Sequence, residues 1–187
     1  HMAVSLYDRR IKEIQNAAKE NKIAVSFGFF EKVQDKIYSS QLTIGDAGEV
    51  VHLFRRVSKG WREPDTDEHY KEGSMFTKFE YKGKSFSTGL CGDLWDNRNV
   101  KQVKALGADI VLWPVYVDFI AKEWNERIKY EYAVQAEKVG SAVLLVNSVC
   151  ENSKEEDTAK GGAIYFSDGQ IKKELPAGKE GILFVQV

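Results

Sequence analysis

Two apolar runs, ADIVLWP (108–114) and SAVLLVN (141–147), bracket a helical pattern over 118–139, and this arrangement constrains the fold more than any other feature of the chain. Within the pattern Ile120, Trp124, Ile128, Tyr132 and Ala136 recur every four residues, the spacing of one helix face. SAVLLVN is almost wholly apolar, which predicts a strand covered on both faces. Pro114 predicts the end of the strand before it, because proline cannot donate to a sheet ladder.

The rest of the chain adds further short elements of the same kinds. LYDRRIKEIQNAAKEN (6–21) places Leu6, Ile14, Ala17 and Ala18 near one helix face, and IAVSFGFF (23–30) reads as a buried strand. IYSSQLTI (37–44) and EVVHLF (49–54) flank GDAG, a hairpin turn. MFTKFEY (75–81) and KSFSTGL (84–90) form a second hairpin, followed by a short helix over 99–107. GAIYFSDGQIKKEL (162–175) is a third hairpin around Asp168-Gly169, and GILFVQV (181–187) a final strand. Alternating hairpins, buried strands and helices predict a mixed-sheet α/β sandwich. A chain of 187 residues fits one core, hence a single domain over 1–187.

Charge and composition remove several function classes. Lys and Arg number 27 against 28 Asp and Glu, a net charge of −1, which gives no electrostatic footprint for nucleic acid or an anionic membrane. No apolar run approaches the roughly 18 residues that span a bilayer, and HMAVSLYDRR lacks the pattern of a signal peptide. Two cysteines, Cys91 and Cys150, fit free thiols in a reducing cytoplasm rather than a disulfide framework. The histidines at 1, 52 and 69 have no metal-ligand spacing, and no Gly-rich phosphate loop occurs.

The chemistry concentrates at STGLCGDLWD (87–96), where the second hairpin delivers Cys91 at a strand's end. One reading makes Cys91 a small buried core residue, the commonest fate of a free cysteine. The other makes it a nucleophile: Gly92 leaves an open backbone N–H beside the thiol, which is how an attacking group and an oxyanion donor are placed together. Asp93 is placed to orient the turn by hydrogen bonding. The loop 55–73 carries Arg55, Arg56, Lys59 and Arg62 among Glu63, Asp65, Asp67 and Glu68. It is either a solvated mixed-charge loop or the source of cations for a thiolate and an oxyanion. His69 could pair with the cysteine or be merely solvated, and Cys150 has no helpful neighbours.

In order along the chain, IAVSFGFFE, the hairpin with GDAGEVV, FRRVSK, HYKEG, GLCGDLWD, GADIVLWP, VLLVN and GGAIYFSDG resemble successive landmarks of the carbon–nitrogen hydrolase, or nitrilase-like amidohydrolase, superfamily. GLCGDLWD matches that family's nucleophile motif, and GADIVLWP follows at the family's spacing. The resemblance implies an α-β-β-α sandwich that hydrolyses a small amide, carbamoyl or nitrile substrate without metal or organic cofactor. It implies Cys91 as nucleophile, Gly92 N–H and a lysine for the oxyanion, and a glutamate as general base. Trp113, Tyr116 and Trp124 fall where family members line the substrate pocket, although simple helix packing explains Trp124 equally well. Homodimers or larger assemblies are implied, with the 118–139 helix as the candidate surface.

Two positions depart from the family pattern. The family base belongs to a Pro-Glu pair ending the first strand, and no such pair occurs here, so the expectation is a chain that lacks that strand at its N-terminus. Glu31, in FGFFE, matches a later landmark and is not promoted to the base. Where the family shows Tyr-Arg-Lys, this chain has Phe54-Arg55-Arg56. Lys59, three residues on, is taken for the lysine's role with Arg56 close behind, and Glu68 for the glutamate that orients it, with Asp67 as the alternative. Two rival readings stay open: a catalytically inactive homologue acting as a binding or scaffold protein, and a redox-sensing thiol.

Overall fold

A computed structural model describes residues 2–60, 68–150 and 158–187. Helix α1 (Arg9–Asn21) opens on Asp8, whose carboxylate accepts from Arg10 N at 3.0 Å and caps the first turn. It buries Ile11 and Ala18, while Ala17 points to solvent and Leu6 lies ahead of the helix. Strands β1 (Val25–Val33), β2 (Lys36–Ile44) and β3 (Val50–Arg55) follow as an antiparallel meander, and the short β4 (Tyr70–Lys71) joins β2 in parallel.

A second sheet runs in the order β10-β9-β8-β7-β6-β5. Its members are β5 (Lys78–Tyr81), β6 (Lys84–Thr88), β7 (Ile110–Val115), β8 (Ala142–Asn147), β9 (Ala163–Ser167) and β10 (Gln170–Leu175). β6, β7 and β8 are parallel, so each of their two connections needs a crossover. Helix α2 (Asn97–Ala105) makes the first and α3 (121–139) the second. α3 comprises Ala121–Glu123, a π-helical turn Trp124–Ile128 and Lys129–Val139. Trp124, Ile128, Tyr132 and Ala136 are all buried, as their four-residue spacing predicts, whereas Ile120, the first of that series, precedes the helix and is 61% exposed. Such a stripe drifts about 40° per step on an α-helix, and the wider π-turn takes part of that drift back.

Each sheet has its own helical cover. α1 packs Ile11 and Ala18 on Leu42 and Ile44, with Phe27, Phe29 and Leu53 around them. α2 and α3 pack Val100, Val103, Trp124, Ile128 and Tyr132 on Val111, Trp113, Val143 and Leu145. The uncovered faces of the two sheets turn toward each other. His52 of the first stacks on Phe79 of the second at 4.4 Å, and Phe54 on Phe76 at 5.5 Å. The layers therefore run α-β-β-α.

Strand register sorts the first sheet's side chains between its two faces. Gly28, Gln41 and Phe54 lie opposite one another and face the second sheet, as do Ser26, Thr43 and His52 one pair along. The residues between them, Phe27, Leu42 and Leu53, face α1. Glu31 belongs to the α1 side: 1% exposed, it takes Arg55 Nε at 2.7 Å and Nη2 at 2.8 Å, and Ser40 Oγ at 2.8 Å. The Arg55 guanidinium also lies 4.3 Å from the centre of the Tyr38 ring. Glu31→Gln removes the anion and leaves the partly exposed Arg55 guanidinium with a neutral partner, and a loss of about 1–3 kcal/mol in unfolding free energy is expected in urea titration.

Four sequence expectations are corrected. β1 is an outer strand, with Phe30 and Val33 exposed, rather than a buried one. Pro114 does not end β7. It pairs with Val146 inside the strand, because β6 has already stopped at Thr88 on the side its N–H would have served. β8 is not covered on both faces: Val146 is 53% exposed where the strand faces the space between the sheets. Residues 181–187 form no strand, and Ile182 and Phe184 are exposed. No helix among the described residues is long and apolar enough to cross a membrane.

Candidate active site

The hairpin β5–β6 ends at Gly89-Leu90, and the chain then tightens into a 3-10 turn, Cys91–Trp95. Cys91 has φ +46°, a left-handed conformation that a side-chain-bearing residue rarely adopts. Such strain costs about 1–3 kcal/mol and persists where surrounding contacts impose it. Here those contacts are clear. Trp113 Nε1 donates to the Cys91 carbonyl at 2.9 Å, and Asp93 Oδ2 accepts from Leu90 N at 2.9 Å. Gln135 of α3 also donates its amide to the Leu94 carbonyl.

Asp93 joins this turn to the loop after β3. Its other oxygen, Oδ1, accepts from Val57 N at 3.1 Å and Ser58 N at 2.6 Å. The residue is fully buried. Burial pushes its carboxyl up from the ordinary value, against the opposing pull of the Ser58 and Leu90 amides and the Arg56 charge. One carboxylate thus fixes both the strand end that carries Cys91 and the loop that carries Arg56.

Arg56 continues β3 on the face turned to the second sheet. Its Nε donates to Ser58 Oγ at 2.9 Å and its Nη2 reaches the Lys59 carbonyl at 3.4 Å. A Cβ placed on Gly92 would lie 2.7 Å from Arg56 Nη2, so the guanidinium rests directly against the residue after the cysteine. A cavity of about 700 Å³ between the sheets is lined by Cys91, Arg56 and Tyr116, and by Ser26, Gln41 and Asn147. Cys91 Sγ lies 3.7 Å from the Tyr116 carbonyl, and the Tyr116 phenol 3.6 Å from Cys150 Sγ. A second cavity of about 810 Å³ shares Ser26, Gln41, Pro114, Val146 and Asn147 with the first and reaches Cys150.

The other sequence candidates stand elsewhere. Lys59 is exposed and absent from the cavity wall, where Arg56 supplies the only charge among the described residues. Glu68 is exposed, and its charge acts on Lys36 at the start of β2. Asp67, Arg62, Glu63 and Asp65 lie outside the described residues. Trp113 and Trp124 are on the helix side of the second sheet, packed with Tyr132 at 5.1 and 4.8 Å. Leu112 and Pro114 face the space between the sheets instead, because side chains alternate along β7. His52 hydrogen-bonds Thr77 Oγ1 within β3's surroundings, and no cluster of metal-ligating groups occurs among the described residues. Sequence reasoning passed over Gln41, although Ser39, Gln41 and Thr43 are polar at every second position of β2, the pattern of a face that meets something other than a helix.

A two-sheet sandwich with helices outside, and a cysteine on a strained turn facing the gap, defines an α-β-β-α fold with a thiol-bearing cleft. The carbon-nitrogen hydrolase family profile matches residues 6–187, and the chain belongs to that family. It is 23% identical over 185 residues to the glutamine-dependent NAD(+) synthetase of Acinetobacter baylyi, covering 96% of this chain and 33% of that protein. It is 24% identical over 214 residues to a cyanide hydratase of Gibberella baccata, covering 99% and 59%. Among solved structures, the glutamine-dependent NAD+ synthetase of Acinetobacter baumannii superposes with a TM-score of 0.73 at 24% identity, covering 91% of this chain and 33% of that one. An amidase from Nesterenkonia sp. gives 0.72 at 19%, covering 91% and 63%. The chain therefore spans between a third and three fifths of the curated relatives named here.

Proposed function

We propose that this chain is a hydrolase of non-peptide carbon–nitrogen bonds in small amide, carbamoyl or nitrile substrates, acting through a Cys91 thioester acyl-enzyme. The observation that carries the reading is the guanidinium of Arg56 against Gly92, beside a thiol held at positive φ on the cavity wall. For an amide, Cys91 Sγ attacks the carbonyl carbon and a C–S bond forms. The oxygen takes the electron pair, stabilised by the Gly92 N–H and the Arg56 charge. The C–N bond then breaks, and the amine leaves as ammonia with the proton the thiol gave up. Water cleaves the thioester, releasing the acid and restoring the thiol. A Nesterenkonia amidase variant carries the acetamide moiety of fluoroacetamide covalently on its active-site cysteine, which supports a nucleophilic thiol in this fold.

In this reading Arg56 takes the part that the family resemblance gives to a lysine, and Lys59 does not. Arg56→Ala is expected to lower kcat/KM about 10²–10³-fold, the cost of removing one oxyanion partner. Gly92→Ala should act similarly, because the new Cβ displaces the guanidinium. Lys59→Ala should stay within about twofold, as an exposed side chain off the cavity wall. Equal losses in Lys59→Ala and Arg56→Ala would transfer the role to Lys59. α3 leaves Tyr130 and Val134 exposed four residues apart, the surface through which we propose a homodimer or larger homo-oligomer. Light scattering with and without Val134→Glu tests it.

The second reading, a catalytically inactive homologue that binds small molecules, is favoured by one observation. No described residue on the Cys91 cavity wall carries a carboxylate or imidazole to serve as general base. Ammonia release from C2–C6 aliphatic amides and nitriles separates the two. Turnover dependent on Cys91 supports the hydrolase, whereas binding of the same amides without any release of ammonia supports the second reading.

A further inference from the structure

We propose that Gln41 is the specificity-determining residue of this cleft, its Oε1 accepting a hydrogen bond from an uncharged N–H donor of the ligand, such as an amide or carbamoyl nitrogen. This rests on the cleft being the ligand site, and not on turnover.

Gln41 sits in the middle of β2, on the face turned to the second sheet, and lines both cavities where they share a wall. It is 4% exposed. Its amide is oriented by a chain of hydroxyls: Nε2 donates to Ser26 Oγ at 2.9 Å, and Ser26 Oγ shares a hydrogen bond with Thr43 Oγ1 at 3.0 Å. That arrangement commits the nitrogen and leaves the oxygen. Among the described residues Oε1 has no hydrogen-bond partner. It lies over Gly28, where a Cβ would come to 3.4 Å, and the missing side chain keeps the approach clear.

A buried acceptor without a partner destabilises a fold, so such groups point to a role. The cleft's other carboxamide is used up. Asn147 Oδ1 accepts from Val117 N at 3.0 Å, and its Nδ2 donates to the Val117 carbonyl at 3.0 Å and the Gly161 carbonyl at 3.2 Å. For a ligand in the Cys91 cavity the donor that Gln41 awaits is uncharged; Lys160, Lys179 and Glu180 line only the second cavity. An ammonium in the Cys91 cavity would meet Arg56, with no carboxylate among the described lining residues to balance it.

The test measures how well small ligands protect Cys91 from iodoacetamide, read by peptide mass spectrometry. The probes are primary amides of four to seven carbons, each paired with the methyl ketone in which CH₃ replaces NH₂. In the wild-type chain each amide should protect at about tenfold lower concentration than its ketone, the value of one hydrogen bond to a neutral donor. Gln41→Met keeps the length and removes the acceptor. It should reduce that ratio to about one and melt close to wild type, since the lost Nε2–Ser26 hydrogen bond is offset by removal of the unpartnered oxygen. Should Gln41→Met fail to fold, Gln41→Glu replaces it and should shift protection from butyramide to butylammonium. Equal protection by amide and ketone in the wild type, no protection by either series, or a ratio that survives in folded Gln41→Met overturns the assignment. Failure of the hydrolase reading looks different: amides protect selectively but release no ammonia.

Discussion

Cys91→Ala is expected to lower ammonia release from the best small amide by at least about 10³-fold, to the level of the uncatalysed background. The substitution removes one sulfur atom and keeps the Cβ, so the left-handed backbone at φ +46° is as strained with alanine as with cysteine. The contacts that impose this conformation, Trp113 on the Cys91 carbonyl and Asp93 on Leu90 N, do not involve the sulfur. Melting temperature should therefore change little. A large loss of activity with an unchanged melt assigns the loss to chemistry rather than to folding. Cys150→Ala, measured alongside, should leave activity within about twofold, because Cys150 lies in the neighbouring cavity against the Tyr116 phenol.

Asp93 gives the second large effect, and it falls on stability and activity together. Asp93→Ala strands three backbone donors, Val57 N, Ser58 N and Leu90 N, around a fully buried site. At about 1–3 kcal/mol for each unpaired buried donor, a loss of about 3 kcal/mol or more is expected in denaturant titration. Asp93→Asn separates the contributions. Its single oxygen can still accept from Val57 and Ser58, while its NH₂ faces the Leu90 N–H donor to donor. The asparagine variant should lose about 1–3 kcal/mol and more activity than that loss of stability explains, because Leu90 N is the tie that holds the Cys91 turn. Equal activity in Asp93→Asn and wild type would show that the turn keeps its geometry without the tie.

Much of the fold is legible in the sequence because its elements are short and strictly patterned. The four-residue recurrence from Trp124 to Ala136 marks a helix face, and all four of those residues are buried. GDAG and Asp168-Gly169 mark hairpins where β2–β3 and β9–β10 turn. What the pattern lacks is the identity of the layer each face meets. IAVSFGFF and SAVLLVN are apolar on both sides, so nothing local tells a fully buried strand from one that lines an open gap, and Phe30 and Val146 are exposed there. GILFVQV reads as a strand by composition, but pairing needs a free neighbouring edge in register, which is a tertiary condition. Pro114 misleads for the same reason: whether a missing N–H matters depends on where the adjacent strand stops.

The site divides along similar lines. Cys91 at a strand's end and the orienting part of Asp93 are visible in GLCGDLWD. The choice between Arg56 and Lys59 is not, because it depends on β3 continuing in register past Phe54, which carries Arg56 onto the inter-sheet face and Lys59 beyond it. Trp113 looks like a pocket residue from its place in ADIVLWP, yet the alternation of β7 turns it toward α3 and leaves Leu112 and Pro114 facing the gap. Gln41 was readable only as one of three polar residues on one face of β2. Its significance comes from a hydrogen-bond inventory that no sequence supplies.

The central claim is that Cys91 attacks a small amide whose oxyanion Arg56 stabilises, and ammonia release tests it most directly. The wild-type chain, Cys91→Ala and Arg56→Ala are assayed with butyramide, with melting followed alongside. The expected result is turnover in the wild type, background in Cys91→Ala and a kcat/KM about 10²–10³-fold lower in Arg56→Ala, all three melting alike. No ammonia release from the folded wild-type chain, or turnover that survives loss of Cys91 or of Arg56, would contradict the account.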